Sequence, residues 1–395
     1  NYNVAIGDEA GTAITTGDNN TAVGYQALYT EDADSNNTAI GYRALKTLNV
    51  GASGLNTAVG VDSGTSMTTG TTNALFGAFS GDALTDGAEN TALGYNSLST
   101  EQRGKGIVAV GWKALQTSNL GSSAYAYNTA IGYLAGGAVT TGTRNTIVGG
   151  LAGDAITTGA KNVAVGTSAM STNILGSRSV AVGDSALATQ NSATAVDMYN
   201  TAVGHGAGSA VTTGIKNTLV GGLAGDALTD ADNNTAIGYL ALSGDTLGSK
   251  STAIGQGTLF AQNFTTATDT YNTAVGYLAG VNVTTGTHNT LIGGLAGDAL
   301  TTGIRQTALG YGALSTETTG REAVGIGYNA LATLNVASNL ESYNVAVGSG
   351  AGSAMTTGLR NTLVGGLAGD ALTDADDNIA IGQGTLGVDT LGSKS

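Results

Sequence analysis

Four tyrosines, Tyr127, Tyr199, Tyr271 and Tyr343, recur 72 residues apart, and three of them follow an acid by two residues: Asp197, Asp269 and Glu341. A phenol beside a carboxylate can grip a sugar hydroxyl or help to hold a cation, and the ring offers a platform for an apolar sugar face. Each tyrosine closes a short insertion whose middle differs from its counterparts: NLGSSAYAY (119–127), NSATAVDMY (191–199), NFTTATDTY (263–271) and NVASNLESY (335–343). Variable loops on a repeated frame are where recognition is commonly carried. The plainer alternative is that each tyrosine packs onto its own coil while the loop middle is unconstrained.

Other residues with chemical potential are also periodic. Asp82, Asp154, Asp226, Asp298 and Asp370 recur at the same 72-residue interval, as turn caps or as ion ligands. Asp230–Asn234 and Asp374–Asn378 alternate side-chain oxygens but lack the central Gly and distal Glu of a helical calcium loop. Tyr25, Tyr42, Tyr95, Trp112, Tyr133, Tyr239, Tyr277, Tyr311 and Tyr328 form a second aromatic series, suited to sugars or to packing between chains. A catalytic centre needs a base, nucleophile or carboxylate pair unlike the rest of the chain. His205 and His288, the two histidines, each occupy an ordinary repeat position, so no enzyme, cofactor or metal centre is expected.

Composition narrows the partners. A net charge of −14, with the acids scattered, argues against nucleic acid. No apolar run of about eighteen residues is present, so no spanning helix is expected. Cysteine is absent, which excludes disulfides and thiolate metal sites. Proline is absent too, as suits a chain in which nearly every backbone N–H is paired.

The frame behind these residues is a unit beginning Asn-Thr-Ala-Val/Ile-Gly, written twenty-two times with a 17-residue period. From Asn56 onward, three steps of 17 and one of 21 make a superrepeat of 72 residues. A fixed period of this kind reads as one repeat array over 1–395, in which each coil stacks on the next, rather than as several domains. Position 5 is always Gly, which demands a corner with positive φ or close backbone approach. Positions 2 to 4 are rich in Thr and Val and read as a strand, with 2 and 4 facing inward. Position 3, nearly always Ala but Ile147, Leu219, Leu291 or Leu363 in one coil of each superrepeat, then faces outward and calls for partner chains. Position 1, Asn in seventeen coils, stacks as a side-chain ladder or supplies a left-handed turn. The second half of the coil has two forms. Either position 9 is Gly with a large apolar residue at 12, as in Gly153 and Ile156, or position 9 is Leu or Met, as in Leu98 and Met170. The expected fold is all-β: a parallel β-solenoid with two short strands and two corners per coil, rising about 4.8 Å per coil.

Val4-Ala5-Ile6-Gly7-Asp8-Glu9-Ala10 and Val180-Ala181-Val182-Gly183-Asp184-Ser185-Ala186 resemble the head repeats of trimeric autotransporter adhesins, and Asn20 to Leu28 is similar to repeats of phage-type tail fibres. The likeness recurs along the whole chain. It implies a left-handed β-roll, assembled as a homotrimer at a cell or virion surface. Because repeat arrays need polar caps and neither end shows one, a segment of a longer fibre protein is expected. The expected function is structural and adhesive, with no nucleic-acid partner, no membrane insertion by this segment and an unknown surface receptor. A glycan- or cation-binding lattice on the loops, and end-to-end stacking into a filament, are the alternatives.

Overall fold

The computed structural model describes residues 2–336 and 340–394, and among them there is no helix. The chain divides into two compact units, Asn1–Tyr199 and Asn200–Ser395. In the first, eleven three-residue strands from Val4–Ile6 to Val180–Val182 pair in parallel, in chain order. In the second, eleven more, from Thr201–Val203 to Ile379–Ile381, do the same. Each unit is a parallel β-solenoid, one strand per coil. Register is kept across the long steps: Val108 pairs with Thr129, and Thr252 with Thr273. The four extra residues of a 21-residue coil therefore leave the wall as a loop.

The second strand expected in each coil is mostly absent. Beyond the short pair Gly248–Ser249 with Thr268–Asp269 and a few isolated bridges, the rest of each coil is turn. The physical reason lies in the corners. Side-chain-bearing residues adopt the left-handed conformation at positions 7, 9 and 17, as in Ser168, Met170 and Arg178 (φ 55, 52 and 61°). Reversals this frequent close the coil within seventeen residues and leave little extended backbone. Position 5 is stricter still. Gly149 has φ of 136°, and a methyl group there would lie 2.5 Å from the carbonyl oxygen of Gly166 in the next coil.

The strand faces the opposite way from the sequence expectation. Ala130 is fully buried while Ile131 beside it is 41% exposed, and Ala92 and Leu93 differ in the same way. Position 3 therefore fills the lumen, and positions 2 and 4 look outward. A 17-residue coil encloses a narrow interior, so the strand contributes a small residue and the bulk comes from position 9 or 12. The Leu and Ile at position 3 are not an outward stripe: Leu75, Ile147, Leu219, Leu291 and Leu363 are all fully buried. They fill the space opened where position 9 is Gly. A methyl on Gly153 would lie 2.8 Å from Ile156 Cδ1 and 3.4 Å from Ile147 Cδ1. The two coil forms are two ways of filling one lumen, at about 1.5 to 3 kcal/mol for each large apolar side chain buried.

Position 1 is the ladder. The N–H of Asn145 donates to Oδ1 of Asn128 at 2.9 Å, and that of Asn162 to Oδ1 of Asn145 at 3.0 Å. Each Nδ2 closes its own coil, Asn145 donating to the Gly159 carbonyl at 2.9 Å. Because these groups are fully buried, leaving one unpaired costs about 1 to 3 kcal/mol. The left-handed turn belongs instead to the residue before the ladder.

Candidate functional site

The loops are anchored by residues the sequence reading did not single out. Position 12 of the coil preceding each 21-residue coil is Glu101, Asn173, Asp245 or Glu317, all fully buried. Each accepts a hydrogen bond from the N–H three residues on: Gly104 at 2.8 Å, Gly176 at 3.0 Å, Gly248 at 3.0 Å and Gly320 at 2.7 Å. The acids also reach the loop base. Phe264 donates its N–H to Asp245 at 3.1 Å, and Val336 to Glu317 at 3.1 Å. Polar residues of the next coil complete the network: Ser118 Oγ donates to Glu101 at 2.9 Å, and Gln262 Nε2 to Asp245 at 2.6 Å. Burial raises the Glu317 carboxyl above its usual range. It pushes that of Glu31, at the same position near the start of the chain, up to about 9. The signal was a polar residue at position 12 in most coils whose position 9 is Leu or Met, Leu48 and Leu334 being the exceptions. Its burial was hidden because polar side chains in repeat proteins more often face water.

The four loop tyrosines occupy equivalent places, each left-handed and roughly half exposed: Tyr127, Tyr199, Tyr271 and Tyr343. The paired acids meet them. Tyr343 Oη donates to Glu341 at 2.8 Å, and Tyr199 and Tyr271 reach Asp197 and Asp269 at 3.4 Å. A cation from the preceding coil joins two of these pairs. Arg178 bridges Asp197 at 2.9 Å and lies 5.7 Å from the Tyr199 ring centre; Lys250 bridges Asp269 and donates to Tyr271 Oη at 3.1 Å. Tyr127 lacks an acid and stacks instead on Tyr125, 5.1 Å between ring centres. Part of the fourth loop, residues 337–339, lies outside the described residues.

The second aromatic series stacks on itself where consecutive coils carry rings. Tyr95, Trp112 and Tyr133 form a run with centre spacings of 6.4 and 4.9 Å, and Tyr311 and Tyr328 lie 5.7 Å apart. Faces spent on neighbouring rings are not available to a sugar, so these runs present edges. Asp82, Asp154, Asp226 and Asp298 each bury one carboxylate oxygen with no hydrogen-bond partner among the described residues, and burial pushes Asp82 up to about 6. Among the described residues, no group of three or more acids or histidines is placed to hold a metal. The calcium-like stretches serve the wall: Asp232 accepts the Ile215 N–H and Asp376 the Leu359 N–H, both at 2.8 Å. No helix among the described residues is long and apolar enough to cross a membrane.

The class these features define is a parallel β-solenoid repeat protein. No protein-family model matches the chain, and no curated protein matches it in sequence.

Proposed function

We propose that this chain is a structural and adhesive element of an extracellular fibre, working as a homotrimer at a cell or virion surface. The observation that carries the reading is the outward strand face. In both units it shows a column of Thr or Val, broken only at Ala74 and Ile379, beside one of Val, Ile, Leu or Phe, with Phe76, Leu93, Ile131, Ile237 and Leu309 between 37% and 48% exposed. A contiguous apolar patch this regular marks an interaction surface. An identical column on a second and third copy is its natural complement, because flat β-branched faces interdigitate along their length. The chain number three comes from the resemblance to trimeric adhesin and tail-fibre repeats. Light scattering of the full chain tests it: a mass of three chains is expected, and a strictly monomeric particle overturns it.

A further inference from the structure

The last residue of each coil, just before the ladder position, forms a column along one edge, and eight of the 14 Lys and Arg of this acidic chain stand in it. In the first unit the column runs Tyr127, Arg144, Lys161, Arg178, Tyr199 through successive coils. Backbone bonds fix the stacking: the N–H of Arg144 donates to Ala126, that of Lys161 to Thr143 and that of Arg178 to Ala160, at 2.7 to 3.1 Å. All five residues are left-handed and exposed. Arg178 is paired with Asp197, whereas Arg144 and Lys161 have no ion pair among the described residues. The flanking residues Thr143, Ala160 and Ser177 are small and uncharged, so the track is open to a ligand. Between Tyr127 and Tyr199 the remaining acids, Asp154 and Asp184, stand at positions 10 and 6 of their coils, away from this column.

We propose that this edge binds an acidic polysaccharide, a linear chain of carboxylated or sulfated sugars lying along the column from Tyr127 to Tyr199. Three cations on successive coils, about 4.8 Å apart along the axis, match a ligand that advances by roughly one sugar per coil. Arg and Lys supply charge-assisted hydrogen bonds to carboxylate or sulfate. The tyrosines at the two ends offer ring faces and hydroxyls to sugars. Nucleic acid is the competing class of polyanion, and a preference for it is one of the outcomes that the test separates. The proposal gives the adhesive half of the proposed function its ligand class. It stands apart from the trimer, since the column does not use the outward strand face.

The test is binding of the full chain to oligogalacturonate and to dextran sulfate, with neutral dextran and single-stranded DNA as comparison probes. Wild type is expected to bind at least one acidic glycan in preference to both comparisons. The double variant Arg144→Glu with Lys161→Glu should lose about tenfold or more of that affinity. A control with the same charge change away from the column, Lys46→Glu with Lys113→Glu, should keep it within about twofold. Circular dichroism of both variants confirms the fold. Equal binding by the column variant and wild type, equal loss in the control, preference for DNA or neutral dextran, or no binding to either acidic glycan overturns the proposal. Failure of the trimer is read separately, from mass.

Discussion

Two stretches of equal length, 128–199 in the first unit and 272–343 in the second, carry the same four coils and differ where it matters least to folding. The large apolar residues of their first three coils correspond: Val139 with Val283, Ile147 with Leu291, Ile156 with Leu300, Met170 with Leu314, all fully buried; in the last coil the buried Gln190 and Met198 are matched by Leu334 and Ser342. Their edges do not. Between its tyrosines the first has Arg144, Lys161 and Arg178; the second has His288 against the Tyr271 ring at 5.3 Å and Arg305 paired with Glu322. On the first edge Arg178 is held by Asp197 while Arg144 and Lys161 have no ion pair among the described residues; on the second the one Arg, Arg305, is held by Glu322. In the first three coils the large apolar residues are exchanged with little change of volume, whereas an exposed column can change without cost to the fold. What repeats is architecture, and what diverges is the surface open to recognition.

The largest effects are expected from substitutions inside the coils. Gly149→Ala and Gly293→Ala each put a methyl 2.5 Å from a carbonyl oxygen of the next coil, at φ of 136 and 132°. Both should lose more than about 3 kcal/mol in urea unfolding, and by similar amounts. Asn145→Ala and Asn289→Ala break the ladder at equivalent points and should cost about 2 to 4 kcal/mol each, for two buried hydrogen bonds. A large difference between the stretches would mean that the interiors are not equivalent.

The loop anchor sharpens the contrast. It is neutral Asn173 in the first stretch and Glu317, whose carboxyl burial raises, in the second. A carboxyl with a raised folded-state value keeps its proton longer in the native state than in the unfolded one. Its contribution is therefore complete below the ordinary Glu range and is lost as pH rises through the folded value. Relative to Glu317→Gln, the wild type should lose thermal stability as pH is raised from 4 to 8, while Asn173→Asp should introduce a comparable slope in the first stretch. The smallest effect belongs to the loop tyrosines. Tyr199→Phe and Tyr343→Phe remove exposed hydrogen bonds and should shift stability by less than about 0.5 kcal/mol.

Much of this was legible because repetition acts as its own control. Twenty-two glycines at one position, an asparagine ahead of them and a large residue alternating between positions 9 and 12 could be read as a corner, a ladder and a lumen. The facing of the strand could not. Alternation puts Thr129 and Ile131 on one side and Ala130 on the other, but does not say which side is inside; the narrowness of the coil decides it. Burial of Glu101 and Glu317 was also hidden, since it depends on the loop N–H groups they accept. The cationic edge was present in the sequence as Arg144, Lys161 and Arg178, each the last residue of its coil, visible only when read down the stack rather than along the chain.

The proposed homotrimer requires identical copies to meet along the outward strand face. Electron microscopy of particles viewed down the solenoid axis tests this most directly. Threefold symmetry, with the strand faces turned toward the axis, is the expected result; a lone solenoid in cross-section, or a continuous filament built by end-to-end stacking, would contradict it.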